Sequence, residues 1–200
     1  MGDALSNTLT LIITNLGGLY LLAVLLRFLL QAVRADFYNP VSQAIVKVTA
    51  PTLKPFRRII PGYRGIDFAS LILALVLNSV FTALLIMLNG YNLPGIGIIV
   101  AWSFVGLIQF MLNIYFYALI ISIIASFVAP FSGNPMLLVV YQILEPLYSR
   151  VRRIIPPMGG FDLSPIFIFL GIQIIEIMVV GTLMRGLGLR QDFLRLVIGV

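Results

Sequence analysis

A stretch of twenty residues occurs twice in this chain, the second time displaced by 95 positions without a gap. The first copy, Pro51 to Ser70, reads PTLKPFRRIIPGYRGIDFAS, and the second, Pro146 to Pro165, reads PLYSRVRRIIPPMGGFDLSP. The offset pairs Arg57-Arg58-Ile59-Ile60-Pro61 with Arg152-Arg153-Ile154-Ile155-Pro156, Gly65 with Gly160 and Asp67 with Asp162. It also pairs Asn39-Pro40 with Asn134-Pro135. A register held across this many Pro, Gly and charged positions is an internal repeat, and it restricts the fold to two similar halves.

The sequence around each copy identifies the solvent. Hydrophobic residues make up 60% of the chain and charged residues 10%, against about 25% charged in soluble domains. Long uncharged runs flank both copies, as a lipid-embedded chain requires. Four spans are expected, at about 8–31, 68–88, 104–128 and 165–184. The uncharged run Ile96 to Val128 is too long for one upright span, so a short interfacial segment is expected near Trp102. Asp3 is the only charge before Arg27. The first run therefore reads as a retained span and not a cleaved leader. Arg27, one turn from the end of span one, reads as a side chain snorkelling to the interface.

Between the spans of each half lies a shorter element. Asn39 suits an N-cap and Pro40 the first helical position. Val41, Ala44, Ile45 and Val48 recur at helical spacing, with Ser42, Gln43 and Lys47 off that stripe. This predicts an interfacial amphipathic helix over about 40–50, ended by Pro51 and Pro55. Its counterpart covers about 135–144 and is more apolar. The tail, 185–200, intersperses Arg with apolar residues and predicts a further interfacial helix. The expected fold is therefore an all-α membrane protein. Its four transmembrane helices form two parallel two-helix repeats, 1–95 and 96–200, each with an interfacial helix and a Pro/Arg/Gly/Asp turn.

Six basic residues lie between spans one and two and three between spans three and four, with three more in the tail. The positive-inside rule then places both repeat loops in the cytoplasm and both termini outside. The net charge of +6 is accounted for by anionic headgroups, and nucleic acid is not an expected partner. The chain has no Cys and no His. That excludes disulfides, thiol catalysis, imidazole bases and the usual zinc or haem ligands. No nucleotide loop, nucleophile elbow or paired carboxylates are present, so neither an enzyme nor a cofactor is expected.

Three groups of residues are candidates for function. Arg57, Arg58, Arg152 and Arg153 suit anionic lipid or an acidic partner. The competing and favoured structural reading pairs Arg58 with Asp67 and Arg153 with Asp162 across each turn. Pro61, Gly65, Asp67 and Pro156, Gly160, Asp162 shape those turns: the glycines for a backbone conformation other residues avoid, the aspartates as N-caps of the following spans. Ser164-Pro165 is an alternative cap in the second copy. Asn78, Asn113, Gln173 and Glu176 form a polar band at membrane depth. They suit either an ion path or interhelical hydrogen bonds, the latter favoured. Gln173 and Asn113 are the neutral partners expected for Glu176.

The Asn-Pro pairs, Pro51, the Arg-Arg-Ile-Ile-Pro segments, the Gly-x-Asp turns and Leu163-Ser-Pro-Ile together resemble the YggT family of small bacterial membrane proteins. Phe68-Ala-Ser departs from that pattern. The resemblance implies a multi-pass inner-membrane protein linked to osmotic or envelope stress and ion homeostasis. Plastid and cyanobacterial relatives are linked to cytochrome assembly and to nucleoid or division-site organisation. Three functions follow as expectations: a non-enzymatic stress-tolerance factor working through lipid or protein contacts, a small channel or transporter subunit, and an assembly factor for another membrane complex. A membrane-protein partner or homo-oligomer fits any of them.

Overall fold

The computed structural model describes residues 2–62, 65–130, 132–157, 162–189 and 191–200. Gly160, Arg64 and Arg190 lie outside the described residues. Among the described residues four helical stretches are long and apolar enough to cross a membrane: Ala4–Ala32, Phe68–Leu88, Ile96–Val128 and Ser164–Gly186. The chain is an all-α, multi-pass membrane protein.

Span one joins α1 (Gly2–Ile12) to α2 (Gly18–Ala32) through a π-helical segment, Ile13–Gly17. That segment brings Gly17 against Phe81, where an added Cβ would lie 3.1 Å from the ring. Span two is α4 (Phe68–Leu88). Span three is α5 (Ile96–Val128), one unbroken helix of 33 residues. At 1.5 Å per residue it is about 50 Å long, more than the roughly 30 Å hydrocarbon core, so it tilts or projects beyond it. The interfacial segment expected near Trp102 is absent as a separate element. Trp102 is buried, stacks near Phe193 and donates its indole N–H to the Leu187 carbonyl at 3.1 Å. Its polar edge is satisfied by protein, so it needs no headgroup. Span four runs through α7 (Ser164–Ile175), a second π-helical segment (Glu176–Val180) and α8 (Gly181–Gly186).

The interfacial helices are twice their expected length. α3 covers Pro40–Ile59 and α6 covers Pro135–Ile154, each 20 residues and related by the repeat offset at both ends. Asn39 and Asn134 cap them, accepting from the Val41 and Met136 N–H at 2.8 and 2.9 Å. Pro51 and Pro55 do not end α3, and Pro146 does not end α6. An interior proline costs a hydrogen bond and a clash. In α3 both prolines stand on the exposed side, where the carbonyl left without a partner can meet water or headgroups. The opposite face continues unbroken through Ile45, Thr49, Leu53 and Phe56 into the core. Tertiary packing of that face outweighs the local cost.

The buried stripe of α3 is also rotated from the expected one. Ser42 and Thr49 are buried at 1% and 0% exposure, whereas Val48 is 55% exposed. The cause lies below the helix. Arg27 does not snorkel: it is 7% exposed and donates Nη1–H bonds to the Val46 carbonyl at 3.0 Å and to Thr49 Oγ1 at 2.8 Å. A buried guanidinium needs acceptors, so α3 turns its hydroxyl-bearing face inward.

The tail departs most from expectation. After α8 ends at Gly186, only Gln191–Leu194 (α9) is helical among the described residues, and Leu196, Val197 and Ile198 are buried in the main core. The segment folds back against α4 and α5 instead of lying on a surface. Its apolar residues find protein rather than lipid, because Gly106 of α5 leaves room for them. A Cβ on Gly106 would come within 2.6 Å of Val197 Cγ1 and 3.0 Å of the Ile198 carbonyl oxygen.

Candidate functional site

Both turns place a carboxylate beside an arginine, but not the arginine expected. Arg57 Nη2 donates to Asp67 at 2.5 Å, and Arg152 Nη2 and Nε donate to Asp162 at 2.6 and 3.0 Å. Arg58 and Arg153 are exposed. Helix phase is the reason. Arg57 stands four residues after the buried Leu53 and shares its face, while Arg58 points about 100° away.

The two aspartates are used differently. Asp67, at the N-cap position of α4, accepts no capping bond through its side chain. It takes Arg57 and the Ser70 hydroxyl, the latter at 2.6 Å. Asp162 Oδ1 accepts the Ser164 backbone N–H at 2.9 Å, so it braces the start of α7. Ser164 is not the cap: its hydroxyl is buried without a partner among the described residues. Burial pushes the Asp67 carboxyl up, but the bonds from Arg57 and Ser70 outweigh that and leave it below its ordinary value. Asp162 is likewise held down, against a smaller burial penalty, by Ser164 and Arg152. Gly65 has φ 84°, a left-handed conformation that suits glycine. Pro61 and Pro156 are exposed at the ends of the two interfacial helices.

Each turn opens on a cleft, and the clefts are repeat equivalents. The first, about 590 Å³, is lined by Arg27, Gln31, Phe37, Val46, Arg57, Gly62 and Asp67. The second, about 600 Å³, includes Ser122, Ser126, Tyr141, Arg152 and Asp162. These are the partners of Arg27, Gln31, Val46, Arg57 and Asp67 at the repeat offset. Glu145 and Tyr148 also line the second cleft. The first thus holds two arginines and one carboxylate, and the second one arginine and two carboxylates.

The polar band divides into two groups. Asn78, fully buried, donates Nδ2–H bonds to the Ser103 carbonyl at 3.0 Å and to the Ile198 carbonyl of the tail at 3.2 Å. Glu176 accepts from Gln109 Nε2 at 3.0 Å, and Gln109 also reaches Asn113 Oδ1 at 3.2 Å. Asn113 in turn donates to the Gly199 carbonyl at 3.3 Å. Gln109, absent from the sequence-derived candidates, is the residue that links Glu176 to Asn113. Its signal was its place one turn before Asn113 on the same helix face. Gln173 is half-buried and makes no hydrogen bond among the described side-chain contacts, so it is not the partner of Glu176. These bonds join spans two, three and four and the tail.

The CCB3/YggT family model matches residues 6–88 and again residues 101–183. The two matches are displaced by the same 95 positions at both ends. An uncharacterized protein of Pseudomonas aeruginosa is 50% identical over 182 residues, covering 90% of this chain and 92% of that one. An uncharacterized protein of Vibrio alginolyticus is 39% identical over 170 residues, 84% of this chain and 90% of its own. The uncharacterized protein YggT of Escherichia coli K12 is 36% identical over 180 residues, 88% of this chain and 92% of its own. No solved structure matches.

Proposed function

The chain belongs to the CCB3/YggT family, and on that premise we propose that it is a non-enzymatic protein of the bacterial inner membrane. It serves osmotic or envelope-stress tolerance and ion homeostasis through contacts with anionic headgroups and other membrane proteins. The observation carrying this reading is that each repeat presents an exposed arginine, Arg58 or Arg153, with no ion pair among the described residues, beside an ion-paired one at the end of an interfacial helix. Each basic side chain at an anionic surface is worth about 1 kcal/mol. Both turns lie on the cytoplasmic side in this reading. Single cysteines at Lys47 and Glu145 are then shielded from an impermeant reagent in intact cells, and one at Leu93 is labelled; the reverse pattern inverts the orientation.

The test of the lipid role replaces Arg58 and Arg153 together with Gln. Retention of acidic phospholipid and hyperosmotic survival of a complemented deletion strain both fall if the reading holds. Wild-type values for both, at equal protein level, refute it. Co-purification of a stoichiometric membrane protein instead moves the function to assembly of another complex.

A second reading, a channel or transporter subunit, is favoured by the Gln109–Glu176–Asn113 group at membrane depth. Ion flux in proteoliposomes that is lost in Glu176→Gln supports it, and absence of flux from the wild type removes it.

A further inference from the structure

We propose that the first-repeat cleft is a binding site for a phosphate-bearing anion, seated against Arg27, and that its second-repeat counterpart is not. Arg27 is 7% exposed, and among the described residues no carboxylate lies within ion-pair distance of it. Asp67, the acidic group of the cleft, is engaged by Arg57 and Ser70. Arg27 spends only Nη1 on α3. Its Nε and Nη2 have no hydrogen-bond partner among the described residues, and the side chain lines a cleft of about 590 Å³. A buried cation without a counter-ion is costly, and an anion entering beside it relieves that cost. The planar fork of arginine matches the oxygens of a phosphate in a bidentate pair.

The other walls fit the same ligand. Arg57 directs one nitrogen to Asp67 and Gln31, leaving further N–H groups toward the cleft, and Gln31 contributes an amide. The repeat offset replaces Arg27 by Ser122 and Gln31 by Ser126, and the second cleft adds Glu145. A hydroxyl-lined cleft with two carboxylates repels what the first one attracts.

A phosphate there has two sources, a lipid headgroup or a soluble phosphate. Arg27 stands five residues before the end of α2 at Ala32, about 8 Å along the helix. Span one, Ala4–Ala32, has 29 residues, about 43 Å against a hydrocarbon core of about 30 Å. A centred span therefore puts Arg27 at the edge of that core, within reach of a headgroup phosphate, which favours lipid. The inference rests on the lipid-contact reading only for this source; the site itself does not depend on Arg58 or Arg153.

The experiment uses the full chain in nanodiscs of phosphatidylcholine with and without phosphatidylglycerol, and counts retained lipid by native mass spectrometry. Arg27→Gln is expected to weaken phosphatidylglycerol retention on the order of tenfold. Val46→Trp fills the cleft from α3 yet keeps Arg27 and its backbone acceptor, and is expected to have the same effect. It carries the test if the Gln variant does not fold. Inorganic phosphate titrated into phosphatidylcholine nanodiscs separates the sources: saturable, Arg27-dependent binding identifies a soluble anion, and phosphatidylglycerol retention without it identifies a headgroup. Wild-type retention and wild-type phosphate binding in a folded variant of either kind overturn the site and leave Arg27 a strut beneath α3. If lipid is lost only in the Arg58→Gln, Arg153→Gln protein, the surface reading stands and the cleft proposal falls.

Discussion

The two arginine turns share one register and pair the equivalent residues, yet sit in different surroundings. Asp67 is 2% exposed and Asp162 is 29% exposed, while their arginines are alike at 42% and 44%. In the first repeat Arg27 holds α3 from below; in the second Ser122 stands at that place, 3.3 Å from the Tyr148 hydroxyl of α6. The same asymmetry extends through the spans. α4 lies between span one, α5 and the tail, with Asn78 and Thr82 fully buried. α7 presents Ile166, Phe167, Leu170 and Ile174 outward. One motif therefore serves as a buried junction in the first half and as a brace at the lipid-facing edge in the second. The duplicated turn keeps its arginine–aspartate pair, while the remaining partners of each carboxylate and its burial differ with the environment.

The sharpest way to break that contrast is to add bulk in each region. Gly106→Val drives a side chain into Val197 and the Ile198 carbonyl. A loss of about 3 kcal/mol or more and release of the tail are expected. A Cβ at Gly171 on α7 meets nothing within 4 Å, so for Gly171→Val a change within about 0.5 kcal/mol is expected. Thermal unfolding in detergent measures both, and protease access to the tail reports its release. Equal costs would mean that α7 is covered at Gly171 as α5 is at Gly106.

A smaller effect comes from the amides that the repeat places in register. Asn78→Leu strips two buried carbonyls, those of Ser103 and Ile198, of their donor, for about 1–2 kcal/mol. Gln173→Leu, at the equivalent position, removes no hydrogen bond seen among the described residues and should be near neutral. The same unfolding assay separates them. A comparable loss from Gln173→Leu would place an unrecognised partner on α7.

Much of this arrangement was legible in the sequence, and the failures share a cause. The spans, the two Asn-Pro caps and the repeated turn depend on local chemistry, which the residues carry with them. The continuation of α3 past Pro51 and Pro55 depends on packing, which local rules do not see. The choice of Arg57 over Arg58 turned on helix phase, and phase was set by a residue in another helix, Arg27, which draws Thr49 inward. The burial of Val197 and Ile198 required Gly106, distant in sequence, to make room. Gln109 carried one sign, its place one turn before Asn113, but its bond to Glu176 depends on how span four packs against span three, which that spacing does not give.

Double-mutant cycles on the two ion pairs test most directly the claim that equivalent pairs carry unequal weight. Arg57→Gln with Asp67→Asn, and Arg152→Gln with Asp162→Asn, give one coupling energy per copy, with Arg58→Gln as the control against Asp67. The expected result is about 2 kcal/mol or more for the first pair, where a lone carboxylate is left buried. For the open second pair it is below about 1 kcal/mol, and for Arg58 it is near zero. Equal couplings in the two copies, or a coupling of Asp67 to Arg58 larger than to Arg57, would contradict it.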